Sequence, residues 1–379
     1  MHQHIREFVR DLAARENGPF YVYDTAVVRE KCRLFQGISY PHKSIHFASM
    51  ANANPDVLKV VRDAGLNVFV NSVGHLEIAQ RLGWTREQIV YTASAMNEGD
   101  MRAAHAAGAV VHLDSVGQLE LWSKLFPGEP AGIRCNIGTL VSPRSTRGGY
   151  FLGPESRLGL TVQEIEGLAG SPMISGLHLY LGTDIVEAEY FRECYEHIIR
   201  LASLFPALKH LDFGGGFGVP TAERSGFDFD AYHQFVPDLM GRVSRDAGRP
   251  VKLILEPGRI ICAESGYFVV RVTDVKQRNG RQLLGVHGST AQFSRPLLYP
   301  DSAYHPVEIV HTHKPLNGSP HVQTSVYGCS TYSRDFLARD VELPELHVGD
   351  LIAFGHAGAY CASSHTSFLG FAPAKEYLT

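Results

Sequence analysis

From residue 20 to about 260, short runs of β-branched and aromatic residues alternate with longer stretches whose apolar residues recur every three or four positions. The short runs predict strands at 44–49 (SIHFAS), 67–71 (NVFVN), 89–92 (IVYT), 110–113 (VVHL), 132–136 (GIRCN), 175–181 (SGLHLYL), 209–213 (KHLDF) and 251–255 (VKLIL). The longer stretches predict helices at 55–64, 74–82, 97–106, 115–124 and 188–204, because that spacing lines one helical face with apolar side chains. Many of the strands are apolar almost throughout, as in a parallel sheet covered on both faces. Eight such strands with helices between them, over about 240 residues, is the count for a (β/α)8 barrel. A doubly wound open sheet has the same local pattern and stays as the alternative. After residue 265 the texture changes. YFVVRVTDVKQ, RQLLGVHG, HPVEIVH, HVQTSVYG and DLIAFGH are short strands broken by Gly, Pro and Asn, without long helices between them, which predicts an all-β module.

Composition narrows the class of protein. The chain has 379 residues, 44% hydrophobic and 20% charged, with a formal charge of −4. That balance offers no basic surplus for nucleic acid or an anionic membrane. No apolar run reaches the length of a membrane span, and the opening MHQHIREFVRDL is too charged for a secretion signal, so a cytoplasmic protein is expected. The six cysteines, Cys32, Cys135, Cys194, Cys262, Cys329 and Cys361, show no CxxC spacing and are expected to be buried small apolar residues. His311 and His313 lack further ligands nearby in sequence, so no metal is expected.

Several motifs fall where barrel strands end, the face on which such barrels build their sites. Gly214, Gly215 and Gly216 follow the strand KHLDF, and clustered glycines let backbone N–H groups approach a phosphate. A glycine turn after a strand is more often structural. Glu256 opens EPGR, with Gly258 and Arg259, at the end of an apolar strand, where a carboxylate needs a partner. A protonated ring nitrogen or a neighbouring arginine would serve. His178 and Tyr180 lie in HLYLGT. In the β module, Arg295 and Tyr299 (RPLLY) could grip a carboxylate. GCSTYSRD (residues 328–335) and AGAY (357–360) complete the set.

In that order the motifs resemble the fold-type III pyridoxal-phosphate decarboxylases, the group of diaminopimelate, ornithine and carboxynorspermidine decarboxylases. PFYVY at 19–23, LDFGGGFGVP, EPGR, RPLLY, LARDVELP, AGAY and FLGF carry the resemblance over nearly the whole chain. It implies an alanine-racemase-like barrel at 25–265, with 1–24 and 266–379 forming a β domain. It also implies a homodimer whose partner completes each active site. By the same resemblance, Gly214, Gly215 and Gly216, with Gly258, Arg259 and Tyr360, would hold the cofactor phosphate, and Glu256 the pyridine nitrogen. Arg295, Tyr299 and Asp335 would meet the substrate.

Five positions break the family's pattern. Its Schiff-base lysine sits in a segment reading roughly Tyr-Ala-Val-Lys-Ala-Asn; here the segment is FASMAN, and Met50 holds the lysine's place. Methionine has neither an amine nor a proton to move. Lys43 and Lys252 begin their strands, at the far end of a barrel. Tyr180 stands where a histidine stacks on the cofactor ring. Thr331 stands where the partner's loop carries a proton-donating cysteine, and Tyr332 where it carries an acidic residue, although Cys329 lies two residues earlier. His75 replaces a glutamate in SVGH, where it either caps a helix or rebuilds the barrel mouth. Loss of three groups of the chemical face, with the phosphate cup kept, points to divergence more than to a single engineered change.

Three functions fit these residues. The first is a decarboxylase-like lyase that binds pyridoxal phosphate, or a similar phosphate ligand, without the lysine, with His178, Tyr180 or Cys329 taking over proton transfer. The second is a non-catalytic descendant that binds a partner or a small ligand. The third is a different enzyme using the same phosphate and carboxylate pocket.

Overall fold

All eight apolar runs of the first 260 residues become strands of one closed parallel barrel: β1 (Lys43–Ala48), β2 (Asn67–Val70), β3 (Ile89–Thr92), β4 (Val110–Leu113), β5 (Ala131–Asn136), β6 (Ile174–His178), β7 (His210–Asp212) and β8 (Lys252–Leu255). Each pairs with the next, and β8 returns to β1 with Leu253 opposite Lys43. The open-sheet alternative is thereby excluded. A computed structural model of the chain describes residues 1–142, 149–316 and 320–379, which divide into two units, 29–261 and 1–28 with 262–379.

Capping residues stop the strands and start the helices. Asn54, Ser72, Asn97 and Ser115 each accept a backbone N–H in the first turn of the helix that follows, at Pro55–Asp63, Val73–Arg81, Glu98–Ala106 and Val116–Leu125. Such a side chain satisfies one of the orphan donors of a helix start, worth about 1 kcal/mol each. The loops between strand and cap are short, which keeps the C-terminal strand ends close to the barrel rim.

The lumen is polar at its centre. Side chains alternate across a strand, so every second residue faces inward. In register around the barrel stand His112 (β4), Gly132 (β5), Gly176 (β6) and His210 (β7). A Cβ on Gly132 would lie 2.3 Å from His112 Cδ2, and one on Gly176 would lie 2.0 Å from His210 Nε2. The two glycines therefore vacate the lumen, and the two imidazoles cross it to meet Nε2 to Nε2 at 3.0 Å. The next layer toward the C-terminal rim is Arg134, His178 and Asp212, again in register.

The other unit is a mostly antiparallel sheet of eight strands, Phe20–Tyr23, Gly266–Arg278, Arg281–Val286, Val307–His311, His321–Tyr327, Phe336–Pro344, Leu351–Phe354 and Lys375–Leu378. The helix Gln3–Ala13 lays Ile5, Val9 and Leu12 against Phe20, Val22, Val269 and Leu351 of that sheet. Five cysteines are buried and Cys329 is exposed. Among the described residues no helix is long and apolar enough to cross a membrane.

Candidate active site

The glycine loop leaves β7 at the C-terminal rim. Asp212 Oδ1 accepts from Gly214 N at 2.8 Å, and Gly214 takes the left-handed φ of +61° that this turn needs. Side chains are excluded throughout. A Cβ would sit 2.6 Å from Leu179 O at Gly214, 2.5 Å from Glu256 O at Gly215 and 2.8 Å from Gly182 O at Gly216. The loop thus lies flush against the segments that follow β6 and β8. Among the described residues, the N–H groups of Gly215 and Gly216 have no acceptor, which leaves two adjacent donors for an anion. After β8, Gly258 packs on Ala48 and Ala51, where a Cβ would be 2.9 Å and 3.3 Å from theirs. Arg259 is held by Asp184, Nε to Oδ1 at 2.7 Å.

Glu256 follows β8 directly and is 4% exposed. His178 Nε2 lies 3.2 Å from its Oε2, and Oε1 has no partner. Asp212 is fully buried; its Oδ2 also lacks a hydrogen bond and lies 3.8 Å from His112 Nδ1. Burial pushes the Glu256 carboxyl up to about 7, with Asp212 and Arg134 pulling the other way. Burial, then the charge of Glu256, pushes Asp212 well above the usual carboxylate range. Burial and mutual repulsion therefore favour a proton on this carboxyl pair, which sits beside the imidazoles of His112 and His178. Arg134, on β5, reaches Asp114 Oδ1 at 3.5 Å, and burial lowers its affinity for its proton. His112, Asp212 and Glu256 also bring three metal-ligand atoms within 4.8 Å of one another, although Thr92 Oγ1 lies 3.1 Å from His112 Nδ1.

Burial sets the charge of the lumen histidines. It pushes His46 and His210 down to about 3 and His178 to about 4, and His112 well below its ordinary value. A lowered histidine binds its proton better unfolded than folded, so acidification through about 6.5 favours unfolding. The raised carboxyls Asp212 and Glu256 act in the opposite direction, but four histidines oppose two carboxyls. Folding stability is therefore expected to fall between pH 6.5 and 4.5, read by urea denaturation at several pH values; a flat or rising profile would contradict the assignment of neutral imidazoles.

Met50 lies two residues beyond β1, half-buried, in a turn closed by Ala51 N to Ala48 O at 3.0 Å. Ser49 beside it bonds Phe69 O at 2.9 Å and His75 Nδ1 at 2.8 Å. His75 does not cap its helix, whose N-cap is Ser72; it lies in the first turn and ties that helix to the rim next to Met50. Tyr180, two residues beyond β6, is half-buried, with Phe151 at 5.6 Å and the Arg134 guanidinium at 5.7 Å from its ring. Met50, His178, Tyr180, Gly214, Gly215, Gly216, Glu256, Gly258 and Arg259 therefore all lie in β6 or just beyond the C-terminal ends of β1, β6, β7 and β8. Lys43 and Lys252 are the first residues of β1 and β8, at the opposite end.

The remaining sequence-named residues lie in the β unit. Arg295 is buried, its guanidinium 5.0 Å from the ring of exposed Tyr299. Cys329 and Thr331 are exposed, and Tyr332 packs on Phe368 at 5.4 Å. Burial, then Asp335, raises the Cys329 thiol. Tyr360 is half-buried in the left-handed region, φ +56°. Asp335 is 2% exposed and accepts from Thr290 N at 2.7 Å, Thr290 Oγ1 at 2.9 Å, Ser289 Oγ at 3.2 Å and Ser330 N at 3.2 Å. In this placement it organises its own loop. Sequence reasoning missed Arg134, Asp114, Asp184, Asp212, His112 and His210; inward parity on the barrel strands would have found four of them.

The family profile described as "Pyridoxal-dependent decarboxylase, pyridoxal binding domain" matches residues 25–263. Diaminopimelate decarboxylase of Methanothermobacter thermautotrophicus is 28% identical over 374 residues, covering 94% of this chain and 86% of that one. That of Actinosynnema pretiosum is 30% identical over 366 residues, covering 92% and 81%. In fold, the chain is similar to diaminopimelate decarboxylase from Helicobacter pylori complexed with L-lysine, with a TM-score of 0.85 at 22% identity over 98% of this chain and 94% of that one. The barrel, its rim of glycines and carboxylates, and these matches together make the chain a member of the pyridoxal-dependent decarboxylase family.

Proposed function

We propose that this chain binds pyridoxal 5′-phosphate without a covalent tether and acts as a decarboxylase-like lyase on an amino acid held beside it. The observation that carries this reading is the unpartnered, buried Oε1 of Glu256 on the same rim as the two unpaired N–H groups of Gly215 and Gly216. A protonated ring nitrogen has the sign and the donor that Glu256 lacks, and a phosphate has the sign that the loop lacks. The residues present therefore fit the group.

When bound, pyridoxal phosphate supplies an electron sink for the bond to the departing carboxylate. The chain's own residues do the rest. His178 fixes Glu256 through Nε2, Asp212 keeps a proton in the carboxyl pair, and Arg259 is steadied by Asp184. Met50 supplies no amine, so proton transfer falls to the Tyr180 phenol, to His178 and to the Cys329 thiol. The reading makes a homodimer the working unit, with Arg295, Tyr299, Tyr332 and Tyr360 available to substrate and phosphate across it.

The test is an absorption scan on adding pyridoxal phosphate, with and without candidate amino acids, beside a carbon dioxide assay. Binding with release of carbon dioxide supports the lyase. Binding without turnover supports a ligand-binding descendant, the reading that Met50, Tyr180 and Thr331 favour. No spectral change sinks both. Gly215→Ala drives a Cβ to 2.5 Å from Glu256 O. It is expected to weaken cofactor binding by at least about tenfold, because the loop must move off its backbone contacts.

A further inference from the structure

The opposite end of the barrel carries a charge pattern that the site does not use. β1, β7 and β8 are consecutive around the barrel and begin there with basic residues: His42 and Lys43, Lys209, and Lys252. The sheet itself spaces them. Lys252 N donates to Lys209 O at 2.9 Å, and Leu253 N donates to His42 O at 2.8 Å, so the three segments are locked side by side. His42, Lys43, Lys209 and Lys252, with Pro250, line one hollow of about 240 Å³. The Arg249 guanidinium is fastened at the same end, donating to Pro206 O at 2.7 Å and Leu208 O at 2.6 Å.

Among the described residues, none of Lys43, Lys209 and Lys252 forms an ion pair, and the one hydrogen bond from their amines is Lys43 Nζ to Tyr40 O at 3.3 Å. Lys43 is turned far enough inward for burial to lower its affinity for its proton. Their field also reaches the lumen. Lys252 helps to depress His46, and Lys252 and Lys209 help to depress His210. Three ammonium groups at fixed spacing around one concavity repel one another, and an anion seated there removes the repulsion.

We propose that the N-terminal mouth of the barrel binds a small molecule bearing a diphosphate group. Three ammonium groups lining one hollow call for more negative charge than a single phosphate carries, and two linked phosphates supply it. The diphosphate could be free or part of a nucleotide. The proposal does not depend on what the other rim binds.

The test uses the full chain without pyridoxal phosphate. Inorganic pyrophosphate and ADP are titrated separately by calorimetry at low and high salt, with histidine ring signals followed by NMR. One pyrophosphate is expected to bind per chain, more weakly at high salt. Lys209→Ala and Lys252→Ala should each cost about tenfold in affinity, the usual scale for a charge-assisted hydrogen bond. Lys124→Ala, on a helix elsewhere, should cost nothing. Ring signals of His42, which lines the hollow, should shift on binding. A cluster that merely keeps the end of the barrel soluble would shift none. Tighter binding of ADP than of pyrophosphate makes the ligand a nucleotide; equal binding makes it the free anion. Absence of binding, parental affinity in both lysine variants, or unmoved His42 signals on binding overturns the proposal. Lys209 is exposed, so its variant should fold, and its melting temperature checks that.

Discussion

Met50→Lys is expected to turn the non-covalent site into a covalent one. After incubation with pyridoxal phosphate and borohydride reduction, the variant should gain the mass of one phosphopyridoxyl group per chain, while the parent chain gains none. The two side chains are similar in length and unbranched, and position 50 lies half-buried on the rim that also carries Glu256 and Gly215. Partial burial lowers the affinity of a lysine for its proton, so part of the new amine is neutral and nucleophilic near pH 8. Parent protein should lose its cofactor on desalting, and the variant should keep it. If carbon dioxide release is limited by proton transfer, the variant should also speed it by roughly 10²–10⁴-fold, the usual worth of a positioned acid–base group. A variant that binds the cofactor but stays unlabelled would mean that residue 50 does not reach it, and would remove Met50 from the explanation of the chain's chemistry.

The eight barrel strands were legible as short runs rich in apolar residues at regular intervals, four of them followed by a helix cap, as in IVYT before Asn97 or VVHL before Ser115. The strand ends followed from that, and with them the placement of Glu256 and the glycine loop on one rim and of Lys43 and Lys252 at the other end. Lumen chemistry was far less visible. His112 and His210 sit inside runs such as VVHL and KHLDF, where a lone histidine looks like a core residue with a local partner. Their meeting depends on Gly132 and Gly176, which are 44 positions apart in the chain and become neighbours only when β5 pairs with β6 in one register. Asp212 lies inside the strand run KHLDF, and only burial beside Glu256 reveals it as half of a carboxyl pair. Asp335 had the reverse history. Its motif suggested a residue reaching for substrate, and the geometry surrounds it with five donors from Ser289, Thr290 and Ser330.

Gly176→Ala is expected to destabilise the chain by roughly 2–5 kcal/mol in urea unfolding, because it overpacks the lumen and breaks a buried hydrogen bond at once. The new Cβ would lie 2.0 Å from His210 Nε2, the atom that bonds His112, and the ring has little room to retreat because the residue is 7% exposed. His210→Ala alone should also destabilise, since it leaves His112 Nε2 unpartnered next to a cavity. The two together should cost clearly less than their sum, since the alanine at 176 then fills space that the lost imidazole vacated. This non-additivity separates the crossing pair from a general intolerance of side chains on β6. If the double variant is as unstable as the two single effects added, the glycine is needed for strand geometry and not for the histidine. If it recovers, the glycines of β5 and β6 are there to admit two imidazoles to a lumen that apolar side chains fill in most barrels of this kind.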